Sequence, residues 1–390
     1  MCQPHCTITP SVVRSTARQA LARALPWKGY GRKVTPLRLL DLLLLVAALG
    51  SSLSAIARRF RFGFSHETAR QAVDANLPDE LGRLTDGLVD ALCELPGPAL
   101  RSRRWVLAID LHYVPFYGDK HAPGVVGGQK KAGTQRFYAY ATAVLLHHRR
   151  RYTVGLLPVT AKVKPHEVVG PLLDQAAARG LRVRGVVLDS GFDSGETLLL
   201  LQERHLGYVV PLRRKGRGDN RRNAVFALPA GTVTTVDWVT EKSRRPVSTA
   251  AAVAYDEHKQ RPAVYAFGGW RAGRAVAAAR QAELVRQAYR RRFGIETSYR
   301  QLNQGKGTTT KKDVGYRLLL VGLALLLRQA WVWLTALLAR DRGARPRDWV
   351  GELPLARLLG WLAAALRRRY PEDEAIAQRQ PLPPPGSDGF

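Results

Sequence analysis

The first legible feature of the chain is the order in which helical and strand-like hydrophobic patterns follow one another. From Pro36 to Gly50 the run LRLLDLLLLVAALG is apolar almost throughout. It is too short to cross a bilayer and is interrupted by Arg38 and Asp41, so it predicts a buried helix. The text that follows, SSLSAIARRFRFGFSHETARQAVDANL, predicts two short helices. Ser51 or Ser52 caps the first through Arg59, Phe62 to Phe64 turn, and Ser65 caps the second through Ala75. The pair has the layout of a helix-turn-helix and carries Arg58, Arg59, Arg61 and Arg70, although any helical hairpin shares that layout. Helical text continues to about Leu95, and PGPALRSRR reads as a basic linker.

At Trp105 the period changes. WVLAIDLHYVPFYG predicts a strand with Asp110 at its end, and FYAYATAVLLHH and RYTVGLLPVTA predict antiparallel partners. Between the first two, GDKHAPGVVGGQKKAGTQR is rich in glycine and lysine and predicts a mobile, substrate-facing loop. HEVVGPLLDQAAARG then predicts an amphipathic helix ending at Gly180, and VRGVVLDSGF a buried strand with Asp189 at its tip. After the helix GETLLLLQERHLG and the short strand YVVPLR, the text from Lys215 to about Gly273 becomes polar turns between short strands. That is a mostly β insertion. Its Trp238 and Trp270 suit packing in a small sheet better than base stacking.

A further helix is expected from near Arg274, and beyond it VGYRLLLVGLALLLRQAWVWLTALLA is long and apolar enough to suggest a membrane span. Arg317 and Arg328 interrupt it and no second such run exists, so a helix packed on a central sheet is the better reading. The tail from Pro371, with PLPPPGSDGF, has the composition of a disordered segment, and no tandem repeat is visible.

Composition then narrows the function. The 390 residues suffice for two or three domains, and 46% hydrophobic residues exclude wholesale disorder. Lys and Arg total 61 against 31 Asp and Glu, a formal net charge of +30. So large an excess is costly in self-repulsion unless the partner is a polyanion, and nucleic acid leads. Three cysteines, Cys2, Cys6 and Cys93, make no disulfide framework and point to a reducing compartment. The thiols flanking His5 in MCQPHC could hold a metal, but without a second ligand pair a frayed terminus is the simpler reading. No charged segment followed by an apolar core and cleavage site opens the chain.

Against this charge the stretch AYRRRFGIETSYRQLNQGK, Ala288 to Lys306, stands out. On one helix, Tyr289, Arg292, Glu296 and Asn303 return to one face. A single acid sits there among Arg290, Arg291, Arg292, Arg300 and Lys306. Glu296 could simply pair with Arg292 and Arg300, a common surface arrangement. Asp110 and Asp189 change the balance, since each follows an apolar strand, where sheets of α/β proteins present ligand sites. Each could instead cap the turn that follows. Three carboxylates converging from two strands and a helix would suit two Mg²⁺ (or Mn²⁺) ions, which activate a water or hydroxyl and stabilise a leaving oxygen at phosphorus.

Those residues resemble the DDE transposases of bacterial insertion sequences, in the branch with a β-rich insertion between the second Asp and the Glu. That branch carries Tyr-x2-Arg-x3-Glu-x6-Lys. Here Tyr289, Arg292 and Glu296 match, while Asn303 stands in the last position and Lys306 follows three residues later. The family's Asp-Arg-Gly-Phe is here Asp189-Ser190-Gly191-Phe192, which favours Asp189 over Asp193. The resemblance spans Trp105 to Leu338 and is weak in the N-terminal region.

It implies an α/β fold with an RNase H-like (retroviral-integrase-like) catalytic core over 101–214 and 274–345. A mostly β insertion would occupy 215–273, a helical DNA-binding region 1–100, and a C-terminal helix and tail 346–390. Asp110, Asp189 and Glu296 would hold the metals. Tyr289 and Arg292 would contact phosphates near the scissile bond, Arg300, Asn303 and Lys306 would also bind DNA, and Arg58, Arg59, Arg61 and Arg70 would grip the terminal repeat. The implied activity is cut-and-paste transposition of double-stranded DNA, by a homodimer joining two terminal inverted repeats to target DNA. Second-strand release through a hairpin is a further expectation. The setting would be cytoplasmic and nucleoid-associated, with no membrane. A domesticated DNA binder that no longer cuts, and an RNase H-like nuclease without strand transfer, remain as alternatives.

Overall fold

The structure is a computed structural model that describes residues 7–147, 150–216, 221–240, 243–257, 260–269, 277–341 and 351–373. The Cys2–His5–Cys6 cluster, Trp270, Arg274 and the proline-rich tail lie outside them.

Helix starts follow cap chemistry. Helix α1 (Pro10–Ala24) begins where Thr9 accepts from the Val12 amide, and α2 (Pro36–Ala48) where Thr35 accepts from that of Arg38. Each has proline in its first turn, where a missing N–H costs nothing. Gly50, at a φ of 58°, follows α2. Asp41 is fully buried within that apolar helix because Arg14 of α1 pairs with it at 2.7 Å and the Tyr370 hydroxyl donates to it at 3.1 Å. Helices α3 (Leu53–Arg59) and α4 (His66–Asp74) are capped by Ser52 and Ser65. Helix α5 (Leu81–Glu94) crosses α1 so closely at Gly87 that a Cβ there would lie 1.9 Å from the Ala24 carbonyl oxygen. The short α6 (Pro98–Arg101) leads into the sheet.

Strand β1 (Arg104–Pro115) lies at the centre. Asp110 is mid-strand rather than at its end, because β1 goes on pairing with β3 (Thr134–His147) as far as Pro115↔Phe137. Part of the glycine- and lysine-rich loop is itself a strand, β2 (Val126–Lys131), pairing with β3. Ala132 and Gly133, both at positive φ, make the tight turn between them. The unit continues through β4 (Arg150–Val159), α7 (Pro165–Ala178), β5 (Arg182–Leu188), α8 (Gly195–Glu203) and β6 (Gly207–Pro211). Then come α9 (Arg221–Ala224), β7 (Val233–Val239), β8 (Pro246–Asp256) and β9 (Arg261–Gly268).

Among the described residues the nine strands form one sheet in the order β2-β3-β1-β5-β6-β9-β8-β7, with β4 also on β3. Strands β1, β5 and β6 are parallel, and β9 adds antiparallel to β6 from Tyr208↔Gly268 to Pro211↔Tyr265. The inserted strands therefore extend the central sheet and cover the β6 edge, which would otherwise be left unpaired.

One face of the sheet packs Leu107, Ile109, Val186 and Leu188 into the main core. The other face, with Val106, Ala108 and Val187, meets α10 (Ala278–Arg290) and α11 (Gly294–Gln304) through Ala282, Val285 and Ile295. Helix α12 (Val314–Asp341) is long and apolar enough to cross a membrane, but 94% of its most apolar window is buried inside the fold. Its Arg328 donates to Gln301 at 3.1 Å and to the Arg151 carbonyl at 2.9 Å. Helix α13 (Leu355–Arg369) packs on α1 and α2.

Candidate active site

The parallel pairing of β1 with β5 ends at Ile109↔Leu188, so the next residue on each strand is an aspartate. Asp110 and Asp189 follow Ala108 and Val187 at the strand alternation of two, which puts them toward the face covered by α10 and α11. Neither serves as a helix cap. Asp189 leads into a 3₁₀ turn (Ser190–Phe192) without a capping bond and accepts from the Ser190 hydroxyl at 3.0 Å. Asp110 Oδ1 accepts from the Leu111 amide at 2.9 Å. Asp193 has another occupation. It is buried, accepts from Arg222 at 2.6 Å and from the Arg213 amide at 2.8 Å, and so ties the inserted segment to the core.

The stretch expected as one helix is two, because a 3₁₀ turn at Arg291–Phe293 separates α10 from α11. Its tighter winding rotates the second helix relative to the first, so Tyr289 and Glu296 do not share one straight face. Gly294 permits the close approach of Arg151, whose Nε lies 2.5 Å from where a Cβ would stand. The turn carries Arg292 inward. That guanidinium is buried, donates to Asp110 Oδ2 at 2.8 Å and to Glu296 Oε1 at 3.3 Å, and leaves its Nε unpartnered. The surface pair Arg292–Glu296 thus forms, but from a buried arginine that holds Asp110 as well.

Burial pushes the Asp110 carboxyl up to about 6, Arg292 and the Leu111 amide pull it back, and the charges of Asp189 and Glu296 raise it further. Both other acids therefore lie close enough to act on Asp110 electrostatically. Tyr289 packs its ring against Tyr265 at 5.1 Å and Phe293 at 5.7 Å, with the Arg292 guanidinium 5.5 Å from its centre.

Two further groups complete the surroundings and carried no spacing signal. The Tyr299 hydroxyl lies 3.0 Å from the Asp110 carbonyl and 2.8 Å from Thr142 Oγ1, fixing α11 against β1. Its ring stacks on His112 at 4.6 Å. Burial, then the charges of Lys306 and Lys131, push His112 down to about 3, so the ring is neutral, with Nε2 unpartnered.

The remaining basic candidates are dispersed. Arg300 and Asn303 are exposed on α11, and Lys306 is half-buried. In the α3–α4 pair, Arg58 meets the His66 ring at 2.9 Å and Arg70 meets Glu67 at 2.6 Å. Arg59 pairs with Glu372, and Arg61 pairs with Asp373 at 2.6 Å.

Among the described residues no three His, Cys, Asp or Glu side chains close on one point as a ready metal site. The donor set is nevertheless that of a hard cation: carboxylate oxygens only, with a guanidinium as the positive charge between Asp110 and Glu296.

Comparison with known proteins bears on the whole arrangement. No curated protein matches the sequence. A structure of piggyBac transposase in a synaptic complex with hairpin DNA is similar in fold, with a TM-score of 0.59 and 10% sequence identity. The similarity covers 93% of this chain and 82% of that one, and the fold is α/β and RNase H-like. A family model described as the transposase DDE domain matches residues 101–327, a span that holds β1, β5, α11 and all three acids. The chain belongs to the DDE-domain transposase family.

Proposed function

We propose that this protein is a cut-and-paste DNA transposase whose catalytic carboxylates are Asp110, Asp189 and Glu296. The observation that carries the reading is the junction of β1 and β5, where two aspartates end a parallel pair and Arg292 draws Glu296 toward the first. The carboxylates fit divalent cations, Mg²⁺ or Mn²⁺. When bound, such ions would polarise the scissile phosphate and lower the pKa of the attacking water or hydroxyl.

The residues of the chain supply position and charge. Tyr299 and Thr142 lock α11 to β1 beside Asp110, so the carboxylates are held before substrate arrives. The formal charge of +30 draws duplex DNA to the surface. In the first step a water oxygen attacks phosphorus, the bond to the 3′-oxygen breaks, and that oxygen leaves as a hydroxyl after taking a proton. In joining, the freed 3′-hydroxyl gives its proton to solvent as it attacks the phosphorus of a second phosphodiester, whose own bond to its 3′-oxygen breaks, and that oxygen leaves as a hydroxyl after taking a proton. Release of the second strand as a hairpin on the element end agrees with the Tyr289–Arg292–Glu296 signature. Synapsis of two ends calls for two copies of the chain.

The test is nicking of duplex DNA bearing the inverted repeats that flank the gene, with Mg²⁺ or Mn²⁺. Cleavage by the wild type, abolished in Asp110→Asn, Asp189→Asn and Glu296→Gln while DNA binding persists, is the expected result. Wild-type cleavage rates in Glu296→Gln would remove that residue from the site, and binding with no cleavage by the wild type would leave a DNA-binding protein.

A further inference from the structure

Upstream of Asp110, at the other end of β1, a cavity of about 360 Å³ is lined by Arg103, Arg104, Arg151, Arg184 and Arg291 around an apolar floor that includes Trp105. No carboxylate lines it among the described residues. Elsewhere in the fold Arg14 meets Asp41, Arg179 meets Asp90 and Arg222 meets Asp193. Arg151 donates to the Arg291 carbonyl at 3.1 Å, and burial, with the charge of Arg291, pushes its guanidinium down. The Arg103 guanidinium lies over the Trp105 ring at 5.3 Å. Several guanidinium forks lining one cavity match the oxygens of a phosphodiester backbone.

The 3₁₀ turn joins this cavity to the acids. Consecutive side chains on such a turn point about 120° apart. Arg292 accordingly reaches Asp110 and Glu296 while Arg291 lines the cavity. Arg104 stands six residues before Asp110 on one continuous strand, a separation on the order of 20 Å. That is roughly six base pairs, or half a turn, of duplex DNA.

We propose that the arginine cavity is a backbone-phosphate site for duplex DNA, holding one strand about half a helical turn from the bond to be cut. The position of the cut rests on the function proposed above; the affinity of the cavity for a phosphate backbone does not. The duplex held is either the element end or the target, since both present the same chemistry.

Arg104 and Arg184 are exposed at strand starts, so the double variant Arg104→Ala/Arg184→Ala should keep the fold. Fluorescence anisotropy of the full chain would be followed against salt, with labelled duplexes of about 30 base pairs, one carrying the element end and one of unrelated sequence. The expected result is a fall in the slope of log K against log salt by about 1 to 2, restored by Arg104→Lys/Arg184→Lys. A fall with both duplexes assigns a sequence-independent grip on the end. A fall seen only when target joints are captured assigns the site to target DNA and equally supports it. Unchanged slope and affinity with both duplexes and in joint capture would overturn the proposal, whether or not the wild type nicks DNA. A reduced slope beside a wild type that never nicks would leave the cavity standing and remove the cutting reaction.

Discussion

Arg292 Nη1 lies 2.8 Å from Asp110 Oδ2, joining the turn before α11 to a strand 182 residues earlier in the chain. The same guanidinium reaches Glu296, so one buried cation holds together two acids that would otherwise repel. It also opposes the upward pull of burial on Asp110.

Removing that charge should therefore be visible in a pH profile. In Arg292→Ala the Asp110 carboxyl rises above about 6, and the acid limb of the nicking rate moves to higher pH. The rate near neutral pH should drop on the order of tenfold, with Arg292→Lys recovering part of it. An acid limb that stays in place while the salt slope of DNA binding flattens would mean that Arg292 serves a phosphate rather than Asp110.

The raised Asp110 carboxyl also makes a stability prediction, to be read in metal-free buffer. The folded state binds this proton more tightly than the unfolded chain, so the associated stability is full below the ordinary carboxylate pKa and is lost as pH rises through about 6. Asp110→Asn stays neutral throughout. Its stability relative to wild type should grow between about pH 4 and pH 7 by on the order of 2 kcal/mol, measured by thermal unfolding. A difference that does not vary with pH would show that Asp110 titrates as an ordinary carboxylate.

Gln329 of α12 offers a test of how the long apolar helix is held. It is fully buried, donates to Leu92 O at 2.9 Å and Thr153 O at 3.2 Å, and accepts from the Thr153 amide at 3.0 Å. Thr153 borders an irregularity in the β3–β4 register, where backbone groups would otherwise lack partners. Gln329→Leu keeps the volume and strands those groups, at a cost of about 2–4 kcal/mol in denaturant unfolding. A loss below about 0.5 kcal/mol would mean that the strand satisfies them another way.

The C-terminal acids should restrain DNA binding by the α3–α4 pair. The Asp373 amide donates to the Arg59 carbonyl and the Arg61 amide to the Pro371 carbonyl, each at 3.0 Å, and the ion pairs to Arg59 and Arg61 lie over that bridge. Glu372→Gln/Asp373→Asn should remove these two ion pairs and tighten binding to unrelated duplex DNA at low salt by about three- to tenfold. Unchanged affinity would place Arg59 and Arg61 away from the DNA path.

The sequence by itself determined what local chemistry determines. Serines and threonines before apolar periods start helices, as at Ser52 and Ser65, and apolar runs ending in aspartate mark β1 and β5. It also showed Tyr289, Arg292 and Glu296 in a family spacing, because residues a few positions apart share one turn of chain whatever surrounds them. Three things it could not show. The 3₁₀ break at Arg291–Phe293 depends on Arg151 packing against Gly294 from another strand. The joining of the inserted strands to β6 depends on which edge the core leaves open. The partner of Arg292 depends on β1 passing beneath α11, where Tyr299 anchors it. Contacts across intervals of 140 to 189 residues carry no periodicity, and burial, which sets the charge of Asp110, exists only once the chain has closed.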